Sequence, residues 1–115
     1  MNYSNPILIC DDNQEFRALV RDMLTKNGFF HVMEAASGEE AIEILRVKKD
    51  YFVLMNSRQV TPEITDYLLG QNNYIVFADN ADPLTLSLSA RLGVNHIMSY
   101  PFHSKKLMDK IHSLL

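Results

Sequence analysis

The residues able to do chemistry in this 115-residue chain gather at three places. Asp11-Asp12-Asn13 sets two carboxylates side by side, directly after the apolar run Ile7-Leu8-Ile9-Cys10 and directly before a helix-patterned segment. Such a pair can hold a hard cation such as Mg²⁺ through oxygen ligands. The plainer role is one Asp capping the helix and the other solvated. Asn56 closes a second apolar run, Phe52-Val53-Leu54-Met55. An Asp there, beside the acidic pair, would suit metal-assisted phosphoryl transfer, whereas an amide oxygen is uncharged and a poor nucleophile. Near the end stands Tyr100-Pro101-Phe102, a tight turn whose X-Pro bond is expected to be cis.

Other chemistries find little support. His31, His96, His103 and His112 make no i, i+4 pair, so no zinc site is expected. With only four glycines there is no glycine-rich phosphate loop. A net charge of −3 carries no basic footprint for direct nucleic-acid contact. No stretch reaches the roughly 18 apolar residues of a membrane span, and Met1 to Pro6 lack a signal-peptide pattern. The single cysteine, Cys10, reads as a buried thiol in a reducing, cytoplasmic setting. At 47% hydrophobic the chain is expected to be one domain spanning residues 1–115, complete or the N-terminal part of a longer protein.

The elements that must position these side chains alternate between two periods. Ile7–Cys10, Phe52–Met55 and Tyr74–Phe77 are short unbroken apolar runs, the mark of parallel strands buried on both faces. His31–Ala35 is a weaker, partly alternating strand suited to a sheet edge, and His96–Met98 a short fifth strand. Between them run helical patterns. Phe16, Leu19, Val20, Met23 and Leu24 share a face, begun by Asp12 or Asn13 and ended near Gly28. Ser37 and Glu40 are spaced as a capping box for a helix carrying Ala41, Ile42, Ile44 and Leu45. Thr61-Pro62 starts a short helix with Ile64, Tyr67 and Leu68, stopped at Gly70. Asp82-Pro83 starts another, with Leu84, Leu88 and Leu92 in line and Gly93 closing it. Ser104 is a candidate cap for a last helix presenting Leu107, Met108, Ile111 and Leu115. Five strands alternating with five helices specify an α/β, doubly wound parallel sheet with helices on both faces. The loops after its first, third, fourth and fifth strands can meet at the carboxyl edge, which brings Asp11, Asp12, Asn56, Ala78 and Tyr100 together.

Ile7-Leu8-Ile9-Cys10-Asp11-Asp12-Asn13, Glu34-Ala35-Ala36-Ser37-Gly38-Glu39-Glu40-Ala41, Leu92-Gly93-Val94 and Tyr100-Pro101-Phe102 resemble the receiver domain of bacterial two-component response regulators. The resemblance covers essentially the whole chain and is weakest from Ser57 to Asn73. It implies the flavodoxin-like strand order 2-1-3-4-5. It also implies that Asp11 and Asp12 are the Mg²⁺-holding pair and that Asn56 takes the place of the phosphate-accepting Asp. Ala78 takes the place of a hydroxyl residue, Tyr100 that of a Lys, and Ile97 that of an aromatic switch residue beside His96. The loop Ser57-Arg58-Gln59-Val60-Thr61-Pro62 departs from the family's Met-Pro pattern, and the helix after it is shorter by about two turns. Arg58 is expected to fill the anion pocket or to pair with Asp11 or Asp12.

Acceptor, hydroxyl and cation are thus lost together, which implies a degenerate pseudo-receiver. Such a module is expected to be non-enzymatic and phosphorylation-independent, with no cofactor beyond weakly held Mg²⁺. Its expected partners are proteins, such as a sensor kinase or an output domain, with a homodimer as a further assembly. By the resemblance the contact surface lies on the fourth helix, fifth strand and fifth helix, at Arg91, His96, Ile97, Lys105 and Lys106. Two rival readings are residual Mg²⁺-dependent phosphoryl acceptance on Asp11 or Asp12, and a small-ligand sensor using the vacated pocket.

Overall fold

The three central strands owe their position to having two apolar faces. In the computed structural model, which describes residues 3–79 and 82–115, β1 (Ile7–Cys10), β3 (Phe52–Asn56) and β4 (Tyr74–Ala78) are buried at every position. β2 (Val32–Ala35) and β5 (Ile97–Ser99) are only partly buried and form the two edges. All neighbours pair in parallel, in the order β2-β1-β3-β4-β5. This is the order that the family resemblance implied.

Because strand side chains alternate in direction, each central strand feeds two cores. Ile7, Ile9, Phe52, Leu54, Ile75 and Phe77 face one side, where α1 (Gln14–Lys26) and α5 (Ser104–Leu114) cover them with Val20, Leu24, Leu107, Met108 and Ile111. Leu8, Cys10, Val53, Met55, Tyr74 and Val76 face the other. There α2 (Gly38–Val47), α3 (Pro62–Leu68) and α4 (Pro83–Leu92) supply Ala41, Ile42, Leu45, Ile64, Leu68, Leu88 and Leu92. Each fully buried Leu, Ile or Phe contributes about 1.5–3 kcal/mol against leaving it in water, so these two layers anchor the strands whose ends form the carboxyl edge.

The helix starts follow the cap chemistry read from the sequence. Asn13, rather than Asp12, caps α1 by accepting from the Phe16 N–H at 3.1 Å, which leaves both aspartates for other work. Ser37 caps α2 through the Glu40 N–H, Thr61 caps α3 through the Ile64 N–H, and Asp82 caps α4 through the Leu84 N–H. α4 ends at Gly93, whose φ of 96° suits a residue without Cβ. The Tyr100-Pro101 bond is cis, as the turn required.

Four expectations are corrected. Ser104 does not cap α5: His103 holds the cap position with no side-chain cap bond, and the Ser104 hydroxyl accepts from Asn27 Nδ2 at 3.2 Å instead. Leu19, Leu84 and Leu115 are exposed: the first two share a helix face with core residues that is not covered along its whole width, and Leu115 follows the last residue of α5. His31 lies outside β2. His96 ends a 3-10 turn, Val94–His96, so β5 begins one residue later than the apolar pattern suggested.

Candidate functional site

At the carboxyl edge, between β1 and β3, the sheet order reverses direction, the crevice where open α/β sheets place their sites. Asp11, one residue past β1, is 2% exposed, and Asn56, the last residue of β3, is 1% exposed. Buried polar groups of this kind need partners, and here they find one another. Asn56 Nδ2 donates to Asp11 Oδ2 at 3.0 Å and also to the Tyr100 hydroxyl. Asn56 Oδ1 accepts the Arg58 N–H at 2.9 Å, which folds the chain after β3 into a 3-10 turn at Ser57–Gln59. Asp11 Oδ1 accepts the Asn13 N–H at 2.8 Å. These bonds set the amide's orientation: its donor end faces the carboxylate and its acceptor end faces the backbone of the turn.

Arg58 returns over the acidic pair. Its Nη2 lies 3.2 Å from Asp12 Oδ1 and 3.8 Å from Asp11 Oδ1. Of the alternatives left open by the sequence, the guanidinium therefore takes the carboxylates, both of them. Burial pushes the Asp11 carboxyl above its usual range, while the Arg58 hydrogen bond holds exposed Asp12 below it. Burial, aided by the charge on Asp11, pushes the Tyr100 phenol up to about 12, so it keeps its proton at neutral pH.

Tyr100 is placed from two directions. Its backbone N–H donates to the Ala78 carbonyl at 3.1 Å, beyond the last pairing of β4 with β5. Its ring packs edge-on against Phe16 at 5.6 Å, within a cluster that includes Phe77 and Phe102. Ala78 is buried and offers the site only its carbonyl. The edge therefore brings Asp11, Asp12, Asn56, Ala78 and Tyr100 into one neighbourhood. What remains open is a shallow pocket of about 190 Å³ lined by Asp11, Asn13, Phe16, Asn56, Arg58 and Tyr100.

A hard cation held between the two aspartates would need oxygen ligands aimed at one point. The donor set is wrong for Mg²⁺. Asn56 presents an NH₂ to Asp11, and the Arg58 guanidinium stands against the oxygens a cation would use. Among the described residues no three His, Cys, Asp or Glu side chains are grouped to hold a metal ion.

The contact-surface residues are more dispersed. Arg91, Lys105 and Lys106 are exposed, and Lys105 is tied to Asp109 at 2.9 Å. Ile97 and Lys106 line a groove of about 350 Å³ between β5 and α5. His96 is half-buried, stacked on Tyr74 at 4.0 Å, with Nδ1 2.9 Å from the Tyr74 carbonyl oxygen. Its ring is occupied inside the fold.

Two contributors escaped the sequence reading. Arg17 Nη1 donates to the Asp11 carbonyl at 2.6 Å while its Nε holds Glu34 at 2.9 Å, and Arg21 binds the other oxygen of Glu34 at 2.7 Å. The signal available was the i, i+4 pair Arg17/Arg21 near an acidic edge strand. Burial raises the Glu34 carboxyl, but the Arg21 and Arg17 hydrogen bonds more than offset this and hold it below its usual range. Its ionic contribution is therefore present above the ordinary carboxyl range, about pH 4.3, and is lost as pH falls through the depressed value. Glu34→Gln is expected to cost about 1 kcal/mol near neutral pH, the scale of a partly exposed pair. The gap to the parent should close in acid, in urea unfolding run at both pH values. A pH-independent gap would mean that packing, not charge, is what Glu34 supplies.

The second contributor is Gly38, the first residue of α2. A Cβ built on it would lie 2.3 Å from the Gln59 carbonyl oxygen, so the turn carrying Arg58 rests directly on the start of this helix.

A doubly wound five-stranded parallel sheet with an acidic pair at its switch point defines the class of this protein. The model of the response regulator receiver domain matches residues 7–112, and the chain belongs to that family. It is 23% identical over 116 residues to a probable chemotaxis protein CheY of Rhizobium etli, covering 94% of this chain and 90% of that protein. It is 27% identical over 116 residues to the transcriptional regulatory protein CpxR of Escherichia coli, covering 96% of this chain but 49% of CpxR, about half its length. Among solved structures, that of the P1 domain of CheA3 in complex with CheY6 from R. sphaeroides superposes with a TM-score of 0.70 at 17% identity, covering 96% of this chain and 97% of that one.

Proposed function

We propose that this receiver domain is a pseudo-receiver: a signalling module that acts through protein contacts and does not accept a phosphoryl group on a side chain. The observation that carries the reading is the amide of Asn56. A carboxylate at the end of β3 would offer an unbonded oxygen to phosphorus. Here the Asn56 oxygen is engaged by the Arg58 N–H, and its nitrogen is shared between Asp11 and Tyr100. Ala78 has no hydroxyl for a phosphoryl oxygen, and Tyr100 brings a neutral phenol in place of an ammonium. Acceptance on the acidic pair is no easier. Asp11 is buried with both oxygens bonded, and exposed Asp12 is a weak nucleophile paired to Arg58.

Signalling then rests on the surface. Its supporting features are the exposed Arg91 on α4 and Lys105 on α5, and the groove between β5 and α5 that Ile97 and exposed Lys106 line. The partner class is a protein of a two-component pathway, such as a kinase or an attached output domain, or a second copy of the chain. A solved structure of the same fold, in which the P1 domain of CheA3 is in complex with CheY6, supports a protein partner. A cytoplasmic setting agrees with the absence, among the described residues, of any helix long and apolar enough to cross a membrane. The small-ligand reading finds less support, because the polar groups lining the pocket already bond one another.

Incubation with a small-molecule phosphodonor and Mg²⁺, read by intact mass, tests the proposal. No phosphoryl adduct is expected on the folded protein. An adduct mapped to Asp11, Asp12 or any other residue of the pocket would overturn it.

A further inference from the structure

We infer that Arg58 is the resident cation of this site, a built-in contact that closes the acidic pair against divalent ions. The inference stands apart from the pseudo-receiver reading, since a site can exclude Mg²⁺ whether or not it accepts phosphate. Two carboxylates on adjacent residues repel unless a positive charge lies near them. The nearest arginine in sequence, Arg17, gives its Nε to Glu34 and reaches only the carbonyl of Asp11. Among the described residues Arg58 alone forms ion pairs with the two carboxylates, with its Nη2 near Asp12 at 3.2 Å and Asp11 at 3.8 Å.

Its side chain is 58% exposed, and what positions it is the backbone that carries it. The backbone beneath it is fixed at both ends of the turn. The Arg58 N–H is held by Asn56 Oδ1 at 2.9 Å, the Val60 N–H reaches the Ser57 carbonyl at 3.2 Å, and the Gln59 carbonyl seats against Gly38. Asn56 adds a neutral donor to the other oxygen of Asp11, Oδ2. The pair therefore receives from its own chain both a positive charge and a hydrogen-bond donor, the two services that a hydrated divalent ion would provide. A Mg²⁺ ion entering here must displace the guanidinium, so the ion and Arg58 compete for the same oxygens.

The test is a Mg²⁺ titration of the parent, Arg58→Ala and Arg58→Gln at constant ionic strength. It follows the backbone amide NMR shifts of residues 11–13 and 57–59. The parent is expected to show no saturating, site-localised response at millimolar Mg²⁺. Both variants are expected to bind at least about tenfold more tightly, the gain from removing one competing charge. Equal affinity in parent and variants, or no gain in either variant, would overturn the inference. A second measurement needs only the parent: its melting temperature should be the same in MgCl₂ and in NaCl of equal ionic strength. A rise specific to Mg²⁺ would overturn the inference independently of how the variants fold.

Discussion

Asn56→Asp is expected to destabilise the protein at neutral pH by roughly 2–4 kcal/mol, although it restores the acid that receiver domains of the resembled type carry. The reason is the environment. Asn56 Nδ2 lies 3.0 Å from Asp11 Oδ2, and both residues are almost completely buried. Replacing NH₂ by a carboxylate oxygen turns a donor–acceptor contact into an oxygen–oxygen contact between two acids that cannot both ionise there. One must keep a proton, so its folded-state pKa is raised well above the unfolded value, and each unit of that shift costs about 1.4 kcal/mol. The sign follows from linkage. A raised carboxyl pKa leaves stability intact below the unfolded value and removes it as pH climbs through the folded one. The deficit should thus be small near pH 4 and complete at pH 7, as read by urea unfolding at the two pH values. The variant is not expected to gain phosphoryl acceptance, because Ala78 and Tyr100 still supply neither hydroxyl nor ammonium. A variant as stable as its parent at pH 7 would show that Arg58 neutralises the added charge unaided.

Gly38→Ala should cost about 1–3 kcal/mol, the range of overpacking in a region that cannot relax freely. In an ordinary exposed helix the same change is favourable by up to about 1 kcal/mol, because Ala is the better helix former. Here the new methyl would meet the Gln59 carbonyl oxygen at 2.3 Å and Thr61 Cγ2 at 3.2 Å. A backbone carbonyl is not the movable tip of a side chain, so either the start of α2 or the Ser57–Gln59 turn must shift. The turn carries Arg58, and its displacement would also lengthen the contact with Asp12. Urea unfolding measures the loss of stability, and NMR shifts at residues 57–59 locate the displacement. A more stable Gly38→Ala would mean that the turn yields without cost and does not hold Arg58 in place.

Taken with the site geometry, these expectations describe an edge that is internally complete. The amide, the phenol, the acidic pair and the arginine satisfy one another, with no buried side-chain polar atom among the described residues left without a partner. Chemistry at such an edge would have to break an existing set of bonds before it began.

Much of this was legible in the amino-acid sequence for a physical reason: the information was local. The unbroken runs at Ile7–Cys10, Phe52–Met55 and Tyr74–Phe77 are four residues each, a length that suits strands covered on both faces and is too short for helices. The caps at Asn13, Ser37, Thr61 and Asp82 act within three residues of themselves. The same locality explains the errors. A helical stripe tells which residues share a face but not how much of that face is covered, so Leu19 and Leu84 lie in line with core residues and are nevertheless exposed. The site itself depended on contacts between distant residues. Asn56 meets Asp11 across 45 positions, Arg58 meets Asp12 across 46, and Tyr100 meets Asn56 across 44. The sequence determined which groups stand at the carboxyl edge, because strand ends and loops are set by local pattern. Only the tertiary structure decided that the amide turns its NH₂ toward the acid and that the arginine folds back over both carboxylates, since those choices are made by partners that the chain brings together only on folding.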